Sequence, residues 1–381
     1  MAPFHVERIR GAAKVLENIA ALRAAGVEAT GFQTEQWLSA LFSDVAPHAG
    51  AEPSLVVLRR RESGAVALAM PLVVRAIGAL RYGEFADLGL TDYCAPLVGS
   101  EPPATREEAV ALIEALRSEL RDVDIIRLEK MPAIIGGHAN PLLLPEGSHP
   151  SRFSGNRLTV ATTVNDYIAS RGKKYRKEAE RSRRRLEDMG TLTHSRATTV
   201  EEIDHAYQRL ETWQQARHLR AGHDYRLSQP QVSKFYRGLL VANRNRDFAN
   251  LFTIEVEGQL VAALLGITHG TTFTLLRIAD AGEDWRHCSP GRMVVIEAME
   301  YLVARGITTF DMGIGDYPFK RWIGCEPYPL YDRLIAITPR GHAHALFDRL
   351  KRRIRANQTL TTIAFCIRHL ATSDRRDHVT G

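Results

Sequence analysis

Arg286-His-Cys-Ser-Pro-Gly-Arg292, then a helical run, then a short strand, then Asp311-Met-Gly-Ile-Gly-Asp-Tyr-Pro-Phe-Lys-Arg-Trp322: the reading of this chain turns on that sequence. A β-favouring run over 271–279 precedes it, and Gly306 closes the helix of 290–305. Ser289 is placed to cap that helix, and Pro290 suits its first turn because proline has no N–H to leave unpaired. The amides of Gly291, Arg292 and Met293 would then face outward. A helix start with open amides favours an anion, phosphate above all. Gly291 removes a side chain from the approach, and Arg286 and Arg292 add charge. Taken alone, the loop reads better as an ordinary capped helix.

The second loop follows the strand of 308–312. Gly313-Ile-Gly315 lacks the third glycine of a dinucleotide fingerprint, and Tyr317-Pro318 is expected to open no helix. Asp311, Asp316 and Lys320 instead crowd a tight loop with Tyr317, Phe319 and Trp322. Loops beyond a strand's carboxyl end carry binding groups in open sheets. The alternative is a salt-bridged turn over a small aromatic core.

Outward from this segment the chain repeats itself. A hairpin, a strand, a helix and a strand are expected over 54–128 and again over 251–310. The sequence therefore divides into an N-terminal domain (1–135), a Gly/Pro/Ser/His-rich linker (136–157), a C-terminal domain (158–340) and a basic helical tail (341–381). A chain of 381 residues with 45% hydrophobic and 25% charged residues has material for such cores and is no disordered or disulfide-built protein. Its cysteines, Cys94, Cys288, Cys325 and Cys366, form no CxxC and no metal-ligand spacing. No signal peptide is expected, and no apolar run approaches membrane-spanning length, so a cytoplasmic protein is expected.

The net charge is +6. Residues 171–185 hold nine Lys or Arg against two Glu, a local +7, which leaves the rest of the chain at −1. A single long helix over 165–189 would carry this segment, with Lys174, Lys177, Arg181 and Arg185 in one stripe. Tyr175 is its sole aromatic, which argues against stacking on nucleic-acid bases. DNA is therefore not an expected partner. No HExxH, no GxSxG and no trusted carboxylate pair is present, so neither a metal site nor a nucleophilic triad is expected.

Ser-Pro-Gly before a helix, a strand with Phe-Asp, and the Gly-Asp-x-x-Phe-Lys spacing together resemble the BioF2-like acetyltransferase domain. That group includes the CelD (BcsL) proteins of exopolysaccharide biosynthesis within the GNAT superfamily. The basic helix and Leu210-x-x-Trp213 with Arg217 resemble that family's first two helices. The resemblance covers roughly 158–322. The N-terminal half resembles a degenerate copy, as in tandem GNAT proteins and the related FemABX aminoacyltransferases.

The resemblance implies an α+β fold of two tandem GNAT-like domains, each a mixed, mostly antiparallel sheet flanked by helices. It implies acetyl-CoA or another acyl-CoA as co-substrate and no metal. The pantetheine arm would lie along 273–279, touching Arg277, Ile278 and Ala279. The pyrophosphate would sit over Arg286, Cys288, Ser289, Gly291, Arg292 and Met293. Asp316 or Asp311 would take the acceptor's proton, and Lys320 would neutralise developing charge. Trp213, Arg217, Lys174 and Trp322 would meet substrate. Family members often carry Tyr where this chain has Phe319, so Tyr317 would have to protonate the leaving thiolate, or the thiolate leaves unassisted. The acceptor would be a small sugar or amine. An aminoacyl-tRNA donor, bound through the basic helix, and a non-catalytic anion-binding scaffold are the rival readings. The basic tail is expected to pack back on the domain, with contact to a membrane surface as the alternative.

Overall fold

The computed structural model describes residues 3–160, 163–222, 227 and 229–356. Cys366 and the tail beyond Ala356 lie outside them.

Helices begin where the sequence supplies caps. Thr34 accepts the Trp37 N–H, Thr105 accepts the Glu108 N–H, and Thr199 forms a reciprocal box with Glu202. Hairpins turn where small or left-handed residues permit. Glu257 and Gly258, at φ 49° and 72°, join Ala249–Val256 to Gln259–His269. The repeat expected from sequence is present. Glu52–Arg60, Val66–Ile77 and Leu80–Phe85, helix Arg106–Glu119 and strand Ile125–Pro132 match Ala249–Val256, Gln259–His269 and Thr272–Asp280, helix Pro290–Val303 and strand Thr309–Asp311. In each half the third strand and the post-helix strand pair in parallel, over Tyr82–Glu84 with 125–127 and Thr272–Thr274 with 309–311.

The halves are not joined by a free linker. Residues 148–159, inside or next to the expected linker, form a strand that pairs with Thr309–Asp311 of the C-terminal half. The final strand, Glu326–Ala336, returns to pair with Ile125–Pro132 of the N-terminal half, and the two strands pair with each other. Each half thus lends its last strand to the other, and one mixed sheet runs through both. Glycine and proline hid this strand from a sequence reading. Gly155 is glycine because a Cβ would lie 2.2 Å from the Tyr328 ring, and Pro150 sits beside a register shift.

Three cores hold the sheet. Two lie separately under helices Arg106–Glu119 and Pro290–Val303, one in each half. The third is shared on the opposite face, where Glu35–Asp44 packs on Pro230–Asn243 and the Trp37 and Phe235 rings meet edge-on at 4.9 Å. Truncating such a buried aromatic costs about 3–5 kcal/mol, so this contact contributes substantially to holding the halves together. The expected single basic helix is broken. Gly172, at φ 88°, separates Val164–Ser170 from Lys173–Glu187. The second piece buries Tyr175, Ala179, Ser182 and Leu186 and leaves most of its cations in water.

Candidate active site

Strand Thr272–Asp280 stays with its parallel partner for three residues only. Beyond them Met312 turns its N–H to the Asn156 carbonyl at 2.8 Å, and the two strands part. The register on the other side slips between Leu265 and Gly266, which leaves Leu276 as a bulge. One backbone edge of 275–280 therefore has no strand partner at a splayed wedge, among the described residues, and the Ile278 carbonyl accepts from Gln214 Nε2 at 3.1 Å.

A cavity of about 850 Å³ fills that wedge. Ile278, Ala279 and Asp280 form one wall, and Pro318, Phe319, Trp322 and Ile323 the opposite one. Ser289, Gly291 and Arg292 close one end, with Trp213, Arg217, Arg220 and Arg286 around the mouth. Trp322 is held by stacking on Tyr175 (4.2 Å), and the Arg292 guanidinium lies 3.5 Å over its other face. Arg292 also pairs with Glu178 at 3.4 Å, and burial lowers its pKa from the usual value.

Ser289 does not cap the helix. It adopts a left-handed conformation, φ 51° and ψ 53°, and its side chain makes no capping bond. The Arg292 and Met293 amides bond the Ser289 carbonyl at 3.0 and 3.3 Å, which leaves Gly291 as the open donor of the three expected. Gly291 is also glycine for a second reason, since a Cβ would lie 2.8 Å from the Asp280 carboxylate.

The equivalent start in the N-terminal half is already filled. There Thr105 caps and Glu108 reaches back to the Ala104 amide at 2.9 Å, with Arg60 hydrogen-bonded to it and holding its carboxyl down to about 2. That half's wedge retains only about 30 Å³, because its own residues 87–98 occupy it. One half keeps a cleft and the other has closed it.

Residues 173–321 match the family described as acetyltransferase (GNAT) domain. That match, over 149 of the 381 residues, supports an acyltransferase. The chain is similar in fold to the crystal structure of FemX, at 12% identity and TM-score 0.61, over 86% of this chain and 97% of that one. It is similar to the C-terminal domain of a putative lysylphosphatidylglycerol synthetase from Agrobacterium fabrum, at 13% identity and TM-score 0.53, over 89% and 96%. A conserved protein of unknown function from Bacteroides thetaiotaomicron is similar at 12% identity and TM-score 0.53, over 89% and 100%. At these identities the likeness concerns the fold. No curated protein sequence matches the chain significantly.

The cleft takes up some of the residues expected from sequence and leaves others aside. Ile278, Ala279, Arg286, Ser289, Gly291, Arg292, Trp213, Arg217 and Trp322 line it. Arg277 points to the opposite face of the sheet. It is 1% exposed, its Nε donates to Gln214 Oε1 at 2.8 Å, and its Nη1 donates to the Tyr207 hydroxyl at 2.7 Å. Strand alternation sends neighbours 277 and 278 to opposite faces. Cys288 is buried against the Met189 sulfur, and Met293 is buried in the core beneath the helix. Lys174 is exposed and does not line the cleft.

The post-strand loop also differs from expectation. Pro318 does open a short helix, Pro318–Trp322, with proline in its first turn. Asp316 is exposed and pairs with Arg321 at 2.9 Å. Tyr317 is exposed and stacks beside Phe319. Lys320 is buried, and its ammonium donates to the carbonyls of Gly313 and Ile314 at 2.9 and 2.8 Å, so it braces the loop. Burial pushes its pKa below the usual value. Asp311 is buried and accepts from the hydroxyls of Tyr93 and Tyr328 and from the Gly313 N–H. Burial raises its pKa despite those donors.

One residue in this cluster has no local signal. Asp92, from the N-terminal half, accepts the Ile314 N–H at 3.3 Å. It stands at the apex of the wedge. A Cβ on Gly313 would lie 2.5 Å from its carboxylate and 3.1 Å from the Leu275 carbonyl, where the open edge begins. It does not line the cavity but flanks the point where the strands part. Burial pushes its pKa up to about 6; Lys130 opposes the rise and Asp311 adds to it. Among the described residues no group of three His, Cys, Asp or Glu could hold a metal ion.

Proposed function

We propose that this protein transfers an acyl group, acetyl in the simplest case, from acyl-CoA to the amine or hydroxyl of a small acceptor. The resemblance to CelD favours a sugar, an amine or an envelope polysaccharide precursor as that acceptor. The carrying observation is the single open wedge. It joins a helix start bearing Arg286 and Arg292, with Asp280 beside Gly291, to a backbone edge that has no strand partner, and that edge leads to a carboxylate. A phosphate-bearing arm is suited to such a path: charge at one end, backbone donors and acceptors along it, and a reacting group at the far end. Under this reading the enzyme is in the cytoplasm, where free buried thiols such as Cys94, Cys288 and Cys325 stay reduced.

The chemistry is direct. The acceptor's lone pair attacks the thioester carbonyl carbon, and a backbone N–H on the open edge near Leu276 stabilises the oxyanion. Asp92, ionised above its raised pKa, takes the acceptor's proton. The C–S bond breaks, and the thiolate leaves and is protonated by solvent, because Phe319 has no proton to give. Asp316, committed to Arg321 in solvent, is the poorer base.

Titration with acetyl-CoA and longer acyl-CoAs, followed by thermal unfolding, tests the donor. A ligand at a hundred times its Kd stabilises by about 2.7 kcal/mol, or roughly 3 °C for a chain this long. No shift with any acyl-CoA refutes the reading. A second reading, an aminoacyl-tRNA donor, has one observation in its favour, the water-facing cations of Lys173–Glu187. Under it, charge reversal of Lys174 and Arg181 abolishes tRNA binding; under the acyl-CoA reading it leaves the acyl-CoA shift intact.

A further inference from the structure

The last described helix, Pro339–Ala356, is amphipathic in the inverted sense. Toward the body of the protein it turns Gly341, His344, Ala345, Asp348 and Arg352. A Cβ on Gly341 would overlap the Asp124 carbonyl, at 2.0 Å. His344 meets the Tyr82 hydroxyl at 3.3 Å, and Arg352 pairs with Asp348. Away from the body it turns its bulky apolar residues. Leu346 is 69% exposed, Phe347 54% and Leu350 54%. A surface helix of a globular protein ordinarily buries its apolar stripe and wets its polar one.

At 100° per residue, Leu346, Leu350 and Phe347 occupy one arc of about 100°. Arg349 borders that arc on one side and Lys351 on the other, with the Lys351 ammonium 4.3 Å over the Phe347 ring. The helix also carries Arg340, Arg352, Arg353 and Arg355, against Asp348 as its one acid. Cations beside an outward apolar arc suit a surface that is anionic at its boundary and apolar beneath it. Nucleic acid meets the cations but gives the apolar arc nothing. The helix is not itself long and apolar enough to cross a membrane.

We propose that Pro339–Ala356 docks on an anionic lipid surface, lying in the plane of the interface. Leu346, Phe347 and Leu350 would enter the acyl region, and Arg349 and Lys351 would meet headgroup phosphates. This inference is independent of the acyl donor, because no residue of the cleft takes part in it.

The test is sedimentation of the full chain with vesicles of phosphatidylcholine alone or mixed with phosphatidylglycerol. Binding is expected to the mixed vesicles only, and to weaken as salt rises. A Leu346→Glu, Phe347→Glu, Leu350→Glu variant should lose binding by about tenfold or more while keeping its melting temperature, since these side chains pack on little. An Arg349→Glu, Lys351→Glu variant should lose most of the preference for anionic vesicles. The proposal is overturned if the wild-type chain stays in the supernatant, binds neutral vesicles equally well, or binds no better than the triple variant. A concentration-dependent dimer that the triple variant abolishes, without vesicle binding, would assign the face to a second copy and overturn it likewise.

Discussion

Asp92→Asn should make the protein more stable and less active. Burial has moved the Asp92 carboxyl from the usual 3.8 to about 6. A folded-state pKa above the unfolded one means that ionisation is penalised in the fold. Below pH 3.8 both states are protonated and there is no penalty. It grows as pH rises from the unfolded value of 3.8 to the folded value of about 6 and is complete above that. A displacement of that size corresponds to about 3 kcal/mol, an upper figure for a side chain with partial solvent access. Asparagine keeps the volume and an oxygen acceptor for the Ile314 N–H, but carries no charge. The variant should therefore melt up to roughly 3–4 °C higher above pH 7, with the gain fading to nothing near pH 4. Other carboxylates titrate in both proteins and cancel. In turnover the same change should remove the acid limb near pH 6 from the kcat profile and cost about 10²–10⁴-fold. Paired melting curves from pH 4 to 8, with acetyl-CoA affinity as the control, read all of this. A variant that is less stable at pH 8, or whose stability difference does not change with pH, would refute the desolvated carboxylate. Unchanged kcat would refute the base.

Other changes separate the site from its scaffold. Gly291→Glu should abolish the acyl-CoA melting shift, because the side chain would collide with the Asp280 carboxylate and bring a second negative charge to the helix start. Arg277→Met should lower stability by about 3–5 kcal/mol by leaving Glu211 and Gln214 without their buried partner, yet leave acyl-CoA affinity within twofold, as isothermal titration would show. Asp316→Asn should keep turnover within about twofold, since an exposed ion pair contributes little; a large loss of kcat would return the base to this residue.

Much of the fold was legible because its signals are local. Threonine caps, the turn at Glu257-Gly258 and apolar periodicity act over a few residues, and they repeat at the same places in both halves. The helix start at Gly291 could be found for the same reason, although Ser289 turned out to be left-handed and not a cap. Strand direction was harder to read. Nothing near Arg277 says which face it takes, and its partners Tyr207 and Gln214 lie more than sixty residues upstream. The strand Ser148–Thr159 was unreadable because its glycine and proline answer to Tyr328 and to a register shift, both far away in the chain.

By itself the sequence determined the duplicated α+β order, the placing of the +7 excess in 171–185, and the Ser-Pro-Gly helix start that carries the cleft. Tertiary structure alone decided that the halves exchange their final strands, that the N-terminal wedge is closed by its own chain, and that Asp92 reaches a loop of the other half. It also decided that the last helix turns its leucines outward. The difference is physical. Caps and periodicity are fixed by neighbours a turn away, whereas the protonation of Asp92 is set by water excluded by segments more than 200 residues distant, and no local pattern encodes that exclusion.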